Sequence, residues 1–122
     1  MELPENCQHW EFITAAREPH GVLTLTLNRP AKRNSLTRQM LRELLSAVRE
    51  LPALPGARVL VLTSSGPAFC SGMDLDEMHA TAIDENAGEL LMADAQLYHD
   101  VVAALFQAPM PTVAVVPGPA VA

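Results

Sequence analysis

Apolar and polar positions change period several times along this chain, and each change marks a different element. Val22, Leu23, Thr24, Leu25, Thr26 and Leu27 alternate leucine with threonine, the period-two pattern of a strand with one apolar face. An earlier strand is expected over Trp10 to Ala16. Glu18-Pro19-His20-Gly21 between the two carries turn chemistry, so the pair reads as a β-hairpin. Asn28-Arg29-Pro30 stops the second strand, because proline lacks a backbone donor and biases Arg29 away from helical geometry. After a short basic loop, Ala31 to Leu36, the period becomes helical. Met40, Leu41, Leu44, Leu45 and Val48 form one stripe behind Thr37 as N-cap, and Arg38, Arg42, Glu43 and Arg49 are expected to face water.

Pro52, Pro55 and Gly56 end that helix and lead into Val59-Leu60-Val61-Leu62, a branched apolar run that suits a central strand covered on both faces. Strand, helix and strand from Val22 to Thr63 make a crossover of the kind that builds parallel sheets, and the fold class is α/β. Ser64 to Pro67 then turn the chain, Phe69 is a bulky anchor, and Cys70-Ser71-Gly72 has only small side chains where backbone must approach something closely. Met73 to Met78 opens a helix with acidic residues in its first turn, where the positive end of the macrodipole favours them. Backbone N–H groups are unpaired at such a start, so the Met73 N–H is a candidate to hold a developing negative charge. Ala80 to Gly88 is expected to be a mobile connection. A second helix is expected from about Glu89 to Gln107, burying Leu90, Leu97, Val101, Val102 and Leu105, and a buried strand over Thr112 to Val116.

The net charge of -6 argues against nucleic acid and anionic membranes as partners, since both need a clustered basic excess. Arg29, Lys32, Arg33, Arg38 and Arg42 nevertheless crowd one segment, as a solvated face or as a cationic patch. Two cysteines, Cys7 and Cys70, make no disulfide framework and no zinc spacing, and the start of the chain lacks the pattern of a signal peptide. A cytoplasmic protein without a metal is expected. His9, His20, His79 and His99 have no nucleophile or carboxylate at convincing spacing, so surface roles are expected. Cys70 reads as a small turn residue, because no activating base is identifiable. Asp74, Asp76 and Glu77 read as dipole partners, not metal ligands. Residues 1–9 read as a polar tail ahead of a single unit over 10–122, and the apolar ending at Ala122 suggests that more protein follows.

Three blocks, LTLNRPAKRNSLT, RVLVLTSSGPAFCSGMDLDEM and PTVAVVPGPAVA, resemble in that order the N-terminal half of the crotonase superfamily, the enoyl-CoA hydratase/isomerase proteins. The resemblance implies an incomplete crotonase-like ββα spiral in which two backbone N–H groups hold the thioester carbonyl of an acyl-CoA while an enolate-like anion develops. The first donor falls on Met73, in a turn with Ser71, Gly72, Asp74 and Leu75. The loop with Lys32, Arg33, Ser35 and Leu36 matches the segment that lines coenzyme A, its cations suiting the phosphates. The second donor and the acid/base glutamates are expected beyond Ala122, so the 122 residues alone should be nearly inert. Coenzyme A enters as part of the substrate, no further cofactor is implied, and a homo-oligomer, trimer or hexamer, is implied for a full-length protein. Two other readings stay open. One is a noncatalytic or truncated relative acting by partner or CoA binding. The other is an unrelated α/β nucleotide-binding domain, which lacks any phosphate-binding glycine pattern in this sequence.

Overall fold

The computed structural model describes Leu3 and residues 9–121. Its elements are β1 (Ile13–Glu18), β2 (Val22–Leu27), α1 (Arg38–Glu50), β3 (Val59–Ser64), α2 (Leu75–Ala82), α3 (Ala87–Phe106) and β4 (Thr112–Ala114), with short 3-10 turns at Pro19–Gly21, Pro30–Lys32 and Leu51–Ala53. One sheet has the order β1-β2-β3-β4, antiparallel between β1 and β2 and parallel thereafter. The hairpin and the first crossover are as the period changes predict.

Leu23, Leu25 and Leu27 point to one face of β2, where they pack with Ile13, Leu60 and the α1 stripe of Met40, Leu41, Leu44, Ala47 and Val48. Thr37 caps α1 by accepting the Met40 N–H at 3.2 Å, which satisfies a donor that the first turn leaves unpaired. Leu3 packs against the same core. Of the expected 1–9 tail, Leu3 and His9 alone are described, and Cys7 and Ala122 lie outside the described residues.

Several expectations are corrected. The first strand begins at Ile13, not Trp10, and runs through Glu18, which pairs with Val22, because His20 and Gly21 take positive φ and shorten the turn. Trp10 to Phe12 stay outside the strand, and the Phe12 and Ile13 N–H groups donate to the Glu43 carboxylate at 2.8 and 3.3 Å. Glu43 is therefore buried instead of facing water. Arg38 is turned inward too, while Arg42 and Arg49 are exposed as expected. On β3 only Leu60 is fully buried, so the strand is central but not covered on both faces. β4 is shorter than expected and exposed, because it forms the sheet edge. The connection between α2 and α3 comprises only residues 83–86, since both helices extend into the segment expected to be mobile. Val102 faces outward, and the α3 face toward the core carries Val101, half-buried Leu97 and Leu105, and a buried Asp94.

Candidate functional site

The loop after β2 and the turn after β3 meet through three bonding centres. Arg33 and Asn34 adopt left-handed backbone with φ of 50° and 56°, a conformation that asparagine tolerates better than most residues. Asn34 is fully buried, and its amide donates to the carbonyls of Ser65 and Ala68 at 2.8 and 2.9 Å while its Oδ1 accepts the Arg29 N–H at 2.7 Å. The two amide donations fasten the basic loop to the end of β3, and the bond from Arg29 closes the loop on itself.

Arg29 is the second centre. Its Nη1 donates to the Ser35 carbonyl at 3.1 Å, to Ser35 Oγ at 2.7 Å and to Asp74 Oδ1 at 2.9 Å, and its guanidinium lies 5.6 Å from the centre of the Phe12 ring. Ser35 Oγ donates to the same Asp74 oxygen at 2.9 Å, while Asp74 Oδ2 accepts the Glu77 N–H at 3.0 Å as the N-cap of α2. The Arg29 guanidinium holds the Asp74 carboxyl below the ordinary carboxylate range; burial acts the other way, and the Glu77 N–H and Ser35 hydroxyl reinforce Arg29.

Met73 is the third. Leu36 donates its N–H to the Gly72 carbonyl at 2.7 Å, and Asp74 donates to the Leu36 carbonyl at 3.0 Å, so Leu36 and Met73 form a parallel bridge. In that pattern the N–H of Met73 points away from Leu36, and it has no acceptor among the described residues. Gly72 has φ of 89°, which a residue with a Cβ would resist. Its N–H donates to Cys70 Sγ at 3.3 Å, which gives the buried thiol a local structural role. The third block closes on the same turn. Phe69 and Cys70 donate to the Pro119 carbonyl at 2.9 and 3.3 Å, and Val121 donates to Cys70 at 2.9 Å. A Cβ on Gly118 would overlap the Pro67 carbonyl, so that approach needs glycine.

Two cavities flank Met73 and share it, with Asp74, as a common wall. One, of about 330 Å³, is lined by Lys32, Ser35, Ser71, Leu75 and Asp76; the other, of about 260 Å³, lies between α2 and α3. Six of the nine expected site residues, Lys32, Ser35, Ser71, Met73, Asp74 and Leu75, therefore line the first. Leu36 and Gly72 brace it through backbone bonds, and Leu75 is 77% exposed. Arg33 is exposed and does not line it. A larger cavity, about 440 Å³ between the C-terminal ends of α1 and α3, contains none of these residues.

Sequence reasoning missed Asn34 and Asp94 and read Arg29 and Arg38 only as charge. Asp94 had a signal: it falls between Leu90 and Leu97 on the apolar stripe of α3, where an acid needs a partner. Among the described residues no group of three His, Cys, Asp or Glu is placed to hold a metal, and no helix is long and apolar enough to cross a membrane.

The three blocks meet at one turn in this fold. The family described as enoyl-CoA hydratase/isomerase matches residues 17–122. The chain belongs to that family. It is 34% identical over 108 residues to the 1,2-epoxyphenylacetyl-CoA isomerase of Escherichia coli, covering 88% of this chain and 40% of that protein. It is 35% identical over 101 residues to a 4-chlorobenzoyl coenzyme A dehalogenase of an Arthrobacter species, covering 83% of this chain and 36% of that one. The solved structure of an enoyl-CoA hydratase from Mycobacterium smegmatis superposes with a TM-score of 0.75 at 39% identity, over 87% of this chain and 40% of that one. The fold of this family member is thus part of the crotonase fold, and the chain spans about two fifths of the length of these relatives.

Proposed function

We propose that the protein binds an acyl-CoA thioester with its carbonyl oxygen at the Met73 N–H, and that this donor stabilises the enolate-like charge of a hydratase or isomerase reaction. The observation that carries the reading is the Met73 N–H, without an acceptor among the described residues, at the junction of two cavities. Catalysis by such a donor needs it fixed before charge develops. The bridge to Leu36, the bend at Gly72 and the capping of α2 by Asp74 all restrain it.

The cavity beside the basic loop is the one we assign to pantetheine, with Lys32 and Arg33 toward the phosphates and Ser35, Leu36, Ser71, Gly72 and Leu75 around the chain. Arg29 is bonded to Asp74, and Arg38 to Asp94, which leaves Lys32 and Arg33 as the exposed cations of the loop. Asp74 then serves by holding the turn. The cavity between α2 and α3 takes the acyl group. Coenzyme A arrives on the substrate and no other cofactor is invoked; the working form is a homo-oligomer, trimer or hexamer, in the cytoplasm. Family resemblance supports the oligomer, and the paucity of cysteine supports the compartment.

The test is replacement of the Met73 peptide N–H by an ester oxygen in the protein as the cell makes it. Loss of one oxyanion donor costs on the order of 3 kcal/mol, a factor of roughly a hundred or more in rate. Turnover of a short enoyl thioester as fast as in the parent would overturn the assignment.

A further inference from the structure

The cavity assigned to the acyl group joins apolar side chains to a polar cluster that thioester binding alone does not explain. Met73, Met78, Ala82 and Leu91 supply the apolar lining, Asp74 and Glu77 line it at the start of α2, and Arg38, Thr81 and Asp94 form the polar cluster. Arg38 opens α1, Thr81 lies on α2 and Asp94 on α3, so one guanidinium joins three helices. Its Nε and Nη2 fork onto the two oxygens of Asp94, Nη2 to Oδ2 at 2.7 Å, and Nη2 also donates to Thr81 Oγ1. Thr81 Oγ1 donates in turn to the Glu77 carbonyl at 2.9 Å, and the Arg38 backbone N–H donates to Glu77 Oε1 at 2.8 Å. Thr81 and Asp94 are both buried.

We propose that Arg38, Asp94 and Thr81 form a stop that limits the length of the acyl group; the proposal rests on the acyl-CoA reading above. An alkyl chain passing this point would have to part a bidentate ion pair and could not replace the hydrogen bonds it displaced, leaving charge buried without a partner. The space before the stop sets the limit. A cavity of roughly 150 Å³ accepts benzene, or about 25 Å³ per heavy atom, so a chamber of about 260 Å³ holds about ten heavy atoms. Acyl chains to about eight carbons, or one aromatic ring, fit that space, and a dodecanoyl chain does not.

Calorimetric titration of the natural protein with CoA and with acetyl-, hexanoyl- and dodecanoyl-CoA tests this. In the parent, hexanoyl-CoA should bind at least about tenfold more tightly than dodecanoyl-CoA. Arg38→Met combined with Asp94→Ala should bring the two within about threefold of each other. Because that pair joins three helices and its loss could unfold the protein, Leu91→Trp provides an independent arm that fills the chamber without touching the ion pair. It should lower the ratio of hexanoyl to acetyl affinity by about tenfold. Equal affinity for hexanoyl- and dodecanoyl-CoA in the parent, or an unchanged ratio in Leu91→Trp, would overturn the proposal. Failure of both CoA and acetyl-CoA to bind would instead sink the acyl-CoA reading on which it stands.

Discussion

The guanidinium of Arg29 meets the carboxylate of Asp74 at 2.9 Å across 45 positions of sequence. This contact ties the loop bearing Lys32 and Arg33 to the turn bearing Met73. Both side chains are largely withdrawn from water, so loss of one leaves the other poorly solvated. Arg29→Met should lower stability by about 2–3 kcal/mol, read from the midpoint of urea unfolding. Asp74→Asn added to it should cost much less than the sum of the two single changes. Strict additivity would show that the two groups do not interact.

The same pair sets a dependence on pH. Arg29 depresses the folded-state pKa of Asp74 below its ordinary value. The stabilisation is therefore present above the unfolded carboxylate pKa, about 4, and is lost as pH falls from there through the folded value. The melting-temperature gap between the parent and Asp74→Asn should be full at neutral pH and shrink in acid below about pH 4. A gap that stays constant down to pH 2 would contradict this.

Lys32 and Arg33 are the exposed cations of the loop assigned to coenzyme A. Reversing both charges in the natural protein should weaken CoA binding and reduce its salt dependence, while affecting a short pantetheine thioester little. Equal loss for both ligands would indicate a damaged fold. Unchanged CoA affinity would move the phosphates elsewhere.

Tyr98, the one tyrosine of the chain, has its phenol pushed up to about 12, first by burial and then by the negative charges around it. Its folded pKa is raised, so the stabilisation is full below the unfolded value of about 10 and declines as pH rises from there toward the folded value. Absorbance at the phenolate band should rise later in the native chain than in denaturant. Coincident curves would show a solvated hydroxyl.

Phe106 is 90% exposed, and Val113, Val115, Val116 and Val121 are exposed near the β4 edge. An uncovered apolar strand edge recruits other chains. The 122-residue chain on its own should therefore self-associate, and Val113→Lys should raise its monomer fraction in light scattering. A monodisperse monomer of the parent would refute this.

Much of this architecture was legible in local pattern. Alternation over Val22 to Leu27, the Thr37 cap and the small residues at Cys70 to Gly72 act on neighbouring backbone, and the period and turn chemistry of a few residues suffice to place them. The Met73 turn was legible only in part: the sequence put Met73 in the first turn of a helix, whereas α2 begins at Leu75 behind its cap Asp74, and it is the bridge to Leu36 that turns the Met73 N–H away from a partner. What the sequence by itself determined, then, was which segments form elements and which turn carries the candidate donor. Tertiary structure decided the partners of the charges. Arg29 and Arg38 read as a solvated basic segment until packing set Asp74 and Asp94 against them, and Glu43 read as a surface acid until the Phe12 and Ile13 N–H groups needed an acceptor. Desolvation is a property of the whole packed molecule. A charge keeps its place away from water only when another element brings the opposite charge or a donor, and sequence spacing does not encode that approach.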